Sequence, residues 1–196
     1  MLQHRGQDAA GMVVCEPSGK LNSRKSKGYV RDVFQQNHMN NLQGNLGIGH
    51  VRYPTAGGIG KEFAQPMYVN TPYGISLAHN GNLTNSKKLA AELFHAERRH
   101  INTDSDSEVL LNIFALELSK QEAVFPKPKD FFTAVEKTHL RINGAYAVVA
   151  LVTGYGILAF RDPLGIRPLS IGIRKGKNRN EYVVSSETAL FSSTGF

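Results

Sequence analysis

Ala145-Tyr-Ala-Val-Val-Ala-Leu-Val152 is an apolar run rich in β-branched and aromatic side chains. Similar runs follow at Gly156 to Phe160, Leu169 to Ile173 and Tyr182 to Ser185, separated by Gly, Pro and Asp turn residues, so the C-terminal part reads as strands. Just upstream the period changes. Thr84 and Asn85 are N-cap candidates for a helix through about Arg98, with Leu89 and Leu93 one turn apart. Ser105-Asp-Ser-Glu108 fits a capping box ahead of Val109, Leu110, Ile113, Phe114 and Leu116. Pro126-Lys-Pro128 interrupts that pattern, and Phe131, Val135 and Ile142 predict a further helix over 131–142. Nearer the N-terminus, Gly11 to Cys15, Gly47 to Val51 and Gly74 to His79 read as strands. Gly11 to Cys15, Pro17-Ser-Gly19 and the polar run through Lys27 read as strand, turn, strand, and 31–42 reads as short helical turns around Val33, Phe34, Met39 and Leu42. Strand runs on either side of a central helical block imply two sheets with helices to cover them, an α+β layout.

The chain has 196 residues, 41% hydrophobic and 20% charged, which is the usage of one globular domain with its own core. No repeat, low-complexity tract or internal linker divides it. No apolar run approaches the roughly twenty residues of a membrane helix, and the N-terminus lacks the pattern of a signal peptide. The net charge of +7 invites a nucleic-acid reading. Its basic clusters, such as Arg24-Lys25-Lys27 and Arg174-Lys175-Gly-Lys177, lack interleaved aromatics and any accompanying binding motif, so they read as solvated surface.

Three short stretches carry chemistry: Gly47-Ile-Gly-His-Val-Arg52-Tyr-Pro54, Ala78-His-Asn80-Gly81-Asn82 and Asn102-Thr-Asp-Ser-Asp106-Ser107. Together they offer a cation, a pair of neutral donors and an anion, the elements that would recognise a free amino acid. Arg52 can hold an α-carboxylate through parallel N–H bonds, although an arginine at a strand end can simply pair with a surface carboxylate. Asn80 and Gly81 are plausible donors to a developing oxyanion. The same dipeptide is the strongest short hairpin signal, and an exposed turn with the Asn amide and Gly N–H aimed inward would serve both ends. Asp106 can hold an α-ammonium or act only as a first-turn acid favoured by the helix dipole. Tyr53 and the Thr55-Ala-Gly57 loop either shape the same pocket or form an ordinary turn. His4, His50, His79 and His139 lack any metal-ligand spacing and read as structural hydrogen-bond partners, so no metal is expected. The single cysteine, Cys15, ends an apolar run with no base, cation or helix N-terminus beside it, and reads as a buried hydrophobe. These residues leave open an enzyme acting on an amino acid, a non-catalytic amino-acid-binding module and a basic interaction protein.

Five stretches, Leu2-Gln-His-Arg-Gly-Gln-Asp-Ala-Ala-Gly11, His50-Val-Arg-Tyr-Pro-Thr-Ala-Gly57, His79-Asn-Gly-Asn-Leu-Thr-Asn85, Ser105-Asp-Ser-Glu108 and Phe160-Arg-Asp-Pro-Leu-Gly-Ile-Arg-Pro168, closely resemble the glutaminase half of the amidophosphoribosyltransferases. These are class II glutamine amidotransferases of the N-terminal nucleophile hydrolase type, acting in purine biosynthesis. The resemblance implies a four-layer αββα sandwich of two mainly antiparallel sheets. It implies carboxylate recognition by Arg52, ammonium recognition by Asp106, an oxyanion hole at Asn80 and Gly81, and a pocket role for Tyr53. The family's nucleophile is a cysteine at the first residue of the mature chain, followed by a strand and a helix before the Gln-His-Arg-Gly segment. Here that segment starts at Gln3, so roughly twenty residues, with the nucleophile and the first strand, are expected to be missing. A phosphoribosyltransferase domain is expected beyond Ser185-Ser-Glu187. Residues 1–196 would then be the amidotransferase domain alone, inactive by itself, with no cofactor of its own and with magnesium in the absent domain. The implied partners are glutamine, the phosphoribosyltransferase domain of the parent chain and further copies in a homo-oligomer, in the cytoplasm, without nucleic acid or membrane. Other class II amidotransferases, those making glucosamine phosphate or asparagine, share the same Arg and Asn-Gly logic.

Overall fold

The computed structural model describes residues 1–53, 60–121 and 123–196. A 3-10 turn at Leu2–Arg5 leads into strands β1 (Ala9–Cys15), β2 (Leu21–Lys27) and β3 (Leu46–Arg52), with the short helices α1 (Val30–Val33) and α2 (Gln36–Asn40) between β2 and β3. These strands form an antiparallel sheet in the order β2-β1-β3, with Gly11 opposite Lys25 on one side and His50 on the other. Next come β4 (Met67–Val69) and β5 (Ile75–Leu83), the helices α3 (Ser86–His95), α4 (Asp106–Ser119) and α5 (Pro128–Arg141), and then β6 (Gly144–Val152) and β7 (Gly156–Arg161). The second sheet runs β4-β5-β6-β7, again antiparallel throughout. A hairpin of β8 (Ser170–Arg174) and β9 (Glu181–Ser185) and a final helix α6 (Ala189–Thr194) close the chain.

The opening apolar run, now β6, explains how the layers stack. Alternate residues of a strand point to opposite faces. Tyr146, Val148, Ala150 and Val152 join the large core made with the helices. Leu151, on the other face, packs with Val13, Cys15 and Ile48 of the first sheet, and Val149 lies against them. The second sheet is therefore sandwiched between helices and the first sheet, the α+β arrangement with antiparallel sheets expected above. α4 runs through the helical layer, touching α3, α5, β4 and β5. Every residue from Val109 to Leu118 is buried, as befits a helix that is apolar nearly all round.

The cap of α4 differs in detail from a capping box. Ser105 Oγ accepts from the Ser107 N–H at 3.3 Å, while Glu108 reaches past Ser105 to the N–H groups of Asn102 (2.9 Å) and Thr103 (2.8 Å). The polar run through Lys27 forms the expected second strand, β2, paired along the whole of β1. Asn85 does precede α3, but its side chain ties to the Arg141 carbonyl and the Asn143 N–H instead of capping the helix.

Candidate active site

β3 ends at Arg52, β5 carries Asn80 and Gly81, and α4 begins at Asp106. All three elements open onto one cavity of about 950 Å³, whose wall includes Arg52, Tyr53, Asn80, Gly81 and Asp106. Tyr53 stands at its rim, 67% exposed. The Thr55-Ala-Gly57 loop lies outside the described residues.

Arg52 is only 6% exposed. Its Nη1 donates to the Asp8 carboxylate, and its guanidinium lies over the Phe63 ring, 5.2 Å from the centroid. The main chains are joined as well, the Asp8 N–H donating to the Arg52 carbonyl at 3.0 Å. Arg52 thus does pair with a carboxylate of the protein, but an internal one that holds the guanidinium in the cavity wall.

Asn80 and Gly81 do not form a turn. β5 continues through them to Leu83, paired with β6 so that Asn80 faces Ala147 and Gly81 faces Tyr146. The local hairpin signal is overridden because β6 supplies a partner along the whole stretch. Gly81 is needed here for another reason: its φ is +153°, and a Cβ would stand 2.0 Å from the Ala145 carbonyl oxygen.

The Asp106 carboxylate is pinned by the Leu83 N–H, which donates to Oδ2 at 2.9 Å, while Oδ1 stands 3.9 Å from His79 Nδ1. His79 Nδ1 also contacts Ser107 Oγ at 3.0 Å. Burial pushes the His79 pKa down; Asp106 opposes the shift and Arg167 adds to it. For His50, burial, the nearby His79 and Arg52 push the pKa down to about 4. Both imidazoles are therefore neutral near pH 7.

Several contributors carried no sequence signal of their own. Asp8 was visible only as part of a motif. Arg167 lines the cavity from the loop after β7, where Asp162 accepts from the N–H groups of Tyr146, Ile166 and Arg167. Glu187 joins His4 (3.0 Å) and Arg5 (3.2 Å), bringing together the two ends of the chain beside the same cavity. Gln65 spans the His79 backbone with its carboxamide. Cys15 is absent from the wall; its thiol donates to the Glu16 carbonyl at 3.4 Å and packs in the core between the sheets. Among the described residues no group of three or more His, Cys, Asp or Glu side chains could hold a metal ion, and no helix is long and apolar enough to cross a membrane.

Residues 59–193 match the family model described as a glutamine amidotransferase domain. Over 196 residues the chain is 56% identical to an amidophosphoribosyltransferase of Pseudomonas aeruginosa, covering 100% of this chain and 39% of that one. The corresponding Escherichia coli protein is 54% identical over 197 residues, with the same coverage. The Saccharomyces cerevisiae protein is 48% identical over 196 residues, 38% of its length. The chain thus spans well under half of the relatives it matches. Among solved structures, the glutamine phosphoribosylpyrophosphate amidotransferase of Bacillus subtilis, complexed with ADP and GMP, superposes with a TM-score of 0.79 at 34% identity, covering 99% of this chain and 39% of that one. A structure described as the allosteric regulatory enzyme of purine biosynthesis superposes with a TM-score of 0.80 at 36% identity and the same coverage.

Proposed function

The chain belongs to the glutamine amidotransferase domain family, and on that premise we propose that it is the glutaminase part of an amidophosphoribosyltransferase. In this function glutamine is hydrolysed to glutamate, and the ammonia passes to a phosphoribosyl diphosphate site in a second domain to form phosphoribosylamine, with magnesium belonging to that second site. The observation that carries the proposal is the shared cavity: a guanidinium, a carboxylate and an Asn-Gly pair from β3, α4 and β5 line one space large enough for a free amino acid. The strong identity to amidophosphoribosyltransferases supports the choice of acceptor. A cytoplasmic, homo-oligomeric protein goes with the same function.

The chemistry divides between binding and attack. Arg52 takes the α-carboxylate and Asp106 the α-ammonium, so that the side-chain amide is held in place for reaction. A guanidinium has five N–H donors, so the Asp8 pair and a substrate carboxylate can share Arg52. A cysteine thiolate attacks the amide carbon; the oxyanion that forms is stabilised by the Asn80 carboxamide and the Gly81 N–H. Collapse breaks the C–N bond as the leaving nitrogen takes up the proton the thiol gave up, releasing ammonia and leaving a thioester that water hydrolyses to glutamate and the free thiol. Cys15 cannot supply the thiolate, because it points into the core between the sheets and not into the cavity. The thiolate is therefore not assigned to Cys15, the single cysteine of these 196 residues. Ammonia release from glutamine tests the proposal in two arms. The 196-residue chain should release none, and the product of the complete reading frame should release it catalytically. Equal activity in both would overturn the assignment of the nucleophile, and no activity in the longer protein would overturn the glutaminase function itself.

A further inference from the structure

We infer that Gln65 is a positioning residue for the oxyanion strand, holding Asn80 and Gly81 in place through the backbone of His79. The role rests on the glutaminase function proposed above and adds to it a residue outside the recognition set. β4 pairs with β5 only from Met67 opposite Leu77 to Val69 opposite Ile75. Continuing that register puts Gln65 opposite His79, but Pro66 intervenes, and proline has no N–H to extend a ladder. The His79 backbone, in a residue 3% exposed, would be left unpaired on that edge, which is costly for a buried peptide group. The Gln65 side chain takes the place of the missing strand. Its Oε1 accepts the His79 N–H at 2.7 Å, and its Nε2 donates to the His79 carbonyl at 3.3 Å.

Both of these bonds fall on the residue immediately before Asn80. On the opposite edge β5 is paired with β6 through the same stretch, so Gln65 is what fixes the strand from the β4 side. Gln65 is itself held firmly. It is 6% exposed, and its carbonyl oxygen stands where a Cβ on Gly11 would be, 2.0 Å away, so β1 presses directly against it. Oxyanion donors act only when they are aimed at the charge as it develops, so a small rotation of the strand weakens the transition state more than substrate binding.

The test uses the full-length enzyme carrying Gln65→Leu or Gln65→Glu. With glutamine as nitrogen source, Gln65→Leu should lower kcat roughly ten- to hundredfold and leave KM for glutamine within about twofold. Activity with added ammonia, which bypasses this site, should be unchanged. Gln65→Glu preserves size and replaces the amide donor by a titratable group. Its kcat should recover as pH falls, because a protonated carboxyl again offers one donor and one acceptor. A rise in KM at constant kcat, or a lower melting temperature with normal kinetics, would overturn the positioning role. In the wild-type protein the His79 amide should be among the slowest of β5 to exchange with solvent, and fast exchange there overturns the role without any variant. A wild-type enzyme lacking glutaminase activity would instead count against the proposed function.

Discussion

At Gly81 the demands of folding and chemistry fall on a single backbone unit. Its φ of +153° and the Ala145 oxygen 2.0 Å from the site of a Cβ leave no room for a side chain. Gly81→Ala should therefore shift β5 against β6, lower unfolding stability by at least about 2 kcal/mol and abolish glutamine-dependent turnover. Denaturant melts and ammonia assays of the same preparation check both effects. His50 makes a different prediction, in pH. Its folded pKa is about 4, against roughly 6.5 in an unfolded chain. Between those values the unfolded chain binds the extra proton, so stability is fully present above about pH 6.5 and is lost as pH falls toward 4. The loss from this group amounts to about 3 kcal/mol at most. His79 shifts in the same direction through burial and steepens the decline. Urea unfolding at intervals from pH 7 to pH 4 should show that slope, and a His50→Gln variant should flatten it; a variant with the wild-type slope would remove His50 as its source.

The start of α4 shows how an element carries a residue to the site. Glu108 accepts from the Asn102 N–H, the Thr103 N–H and the Thr103 hydroxyl, and so fixes the loop that delivers Asp106. Glu108→Ala should cost about 1–2 kcal/mol and raise KM for glutamine more than it lowers kcat, because it loosens the ammonium site and not the oxyanion strand. Steady-state kinetics on the full-length enzyme would separate the two, and a loss confined to kcat would contradict it. The same elements show what could be read in advance. The helices and most strands were legible because their apolar residues repeat with the period of the element, as in Val109 to Leu116 and Ala145 to Val152. β2 has no apolar period, because a strand at a sheet edge can be polar and pair on one side only; what made it legible is the turn at Pro17-Ser-Gly19, which brings the chain back alongside β1. At the end of β5 the local Asn-Gly signal predicts a turn, and the pairing that overrides it comes from residues 144–147, remote in sequence. Candidate site residues with a distinctive chemical type were visible. Asp8 and Gln65 were not, since their roles come from a salt bridge across 44 positions and a side-chain mimic of a strand.

On the scale of the molecule, β6 belongs to two cores at once. One face contributes Tyr146, Val148, Ala150 and Val152 to the helical core; the other contributes Leu151 to a cluster whose remaining buried members are Val13, Cys15 and Ile48. Because β6 is shared by both clusters, the two sheets are expected to open together and not one after the other. Cys15, the single cysteine of the 196 residues, reports on that opening, because a buried thiol is labelled only when its surroundings part. Leu151→Ala, at a fully buried side chain between the sheets, should cost about 2–5 kcal/mol. Leu118→Ala, on the helical side, should cost a similar amount by the same cavity mechanism. If β6 couples the cores, each variant speeds labelling of Cys15 by about tenfold for every 1.4 kcal/mol it loses, whichever core the leucine left. Labelling rates plotted against measured stability should then fall on one line. A Leu151→Ala rate well above that line would mean that the first sheet lifts away while the helical core stays closed, and that the wall of the cavity formed by β3 can move independently of the wall formed by β5.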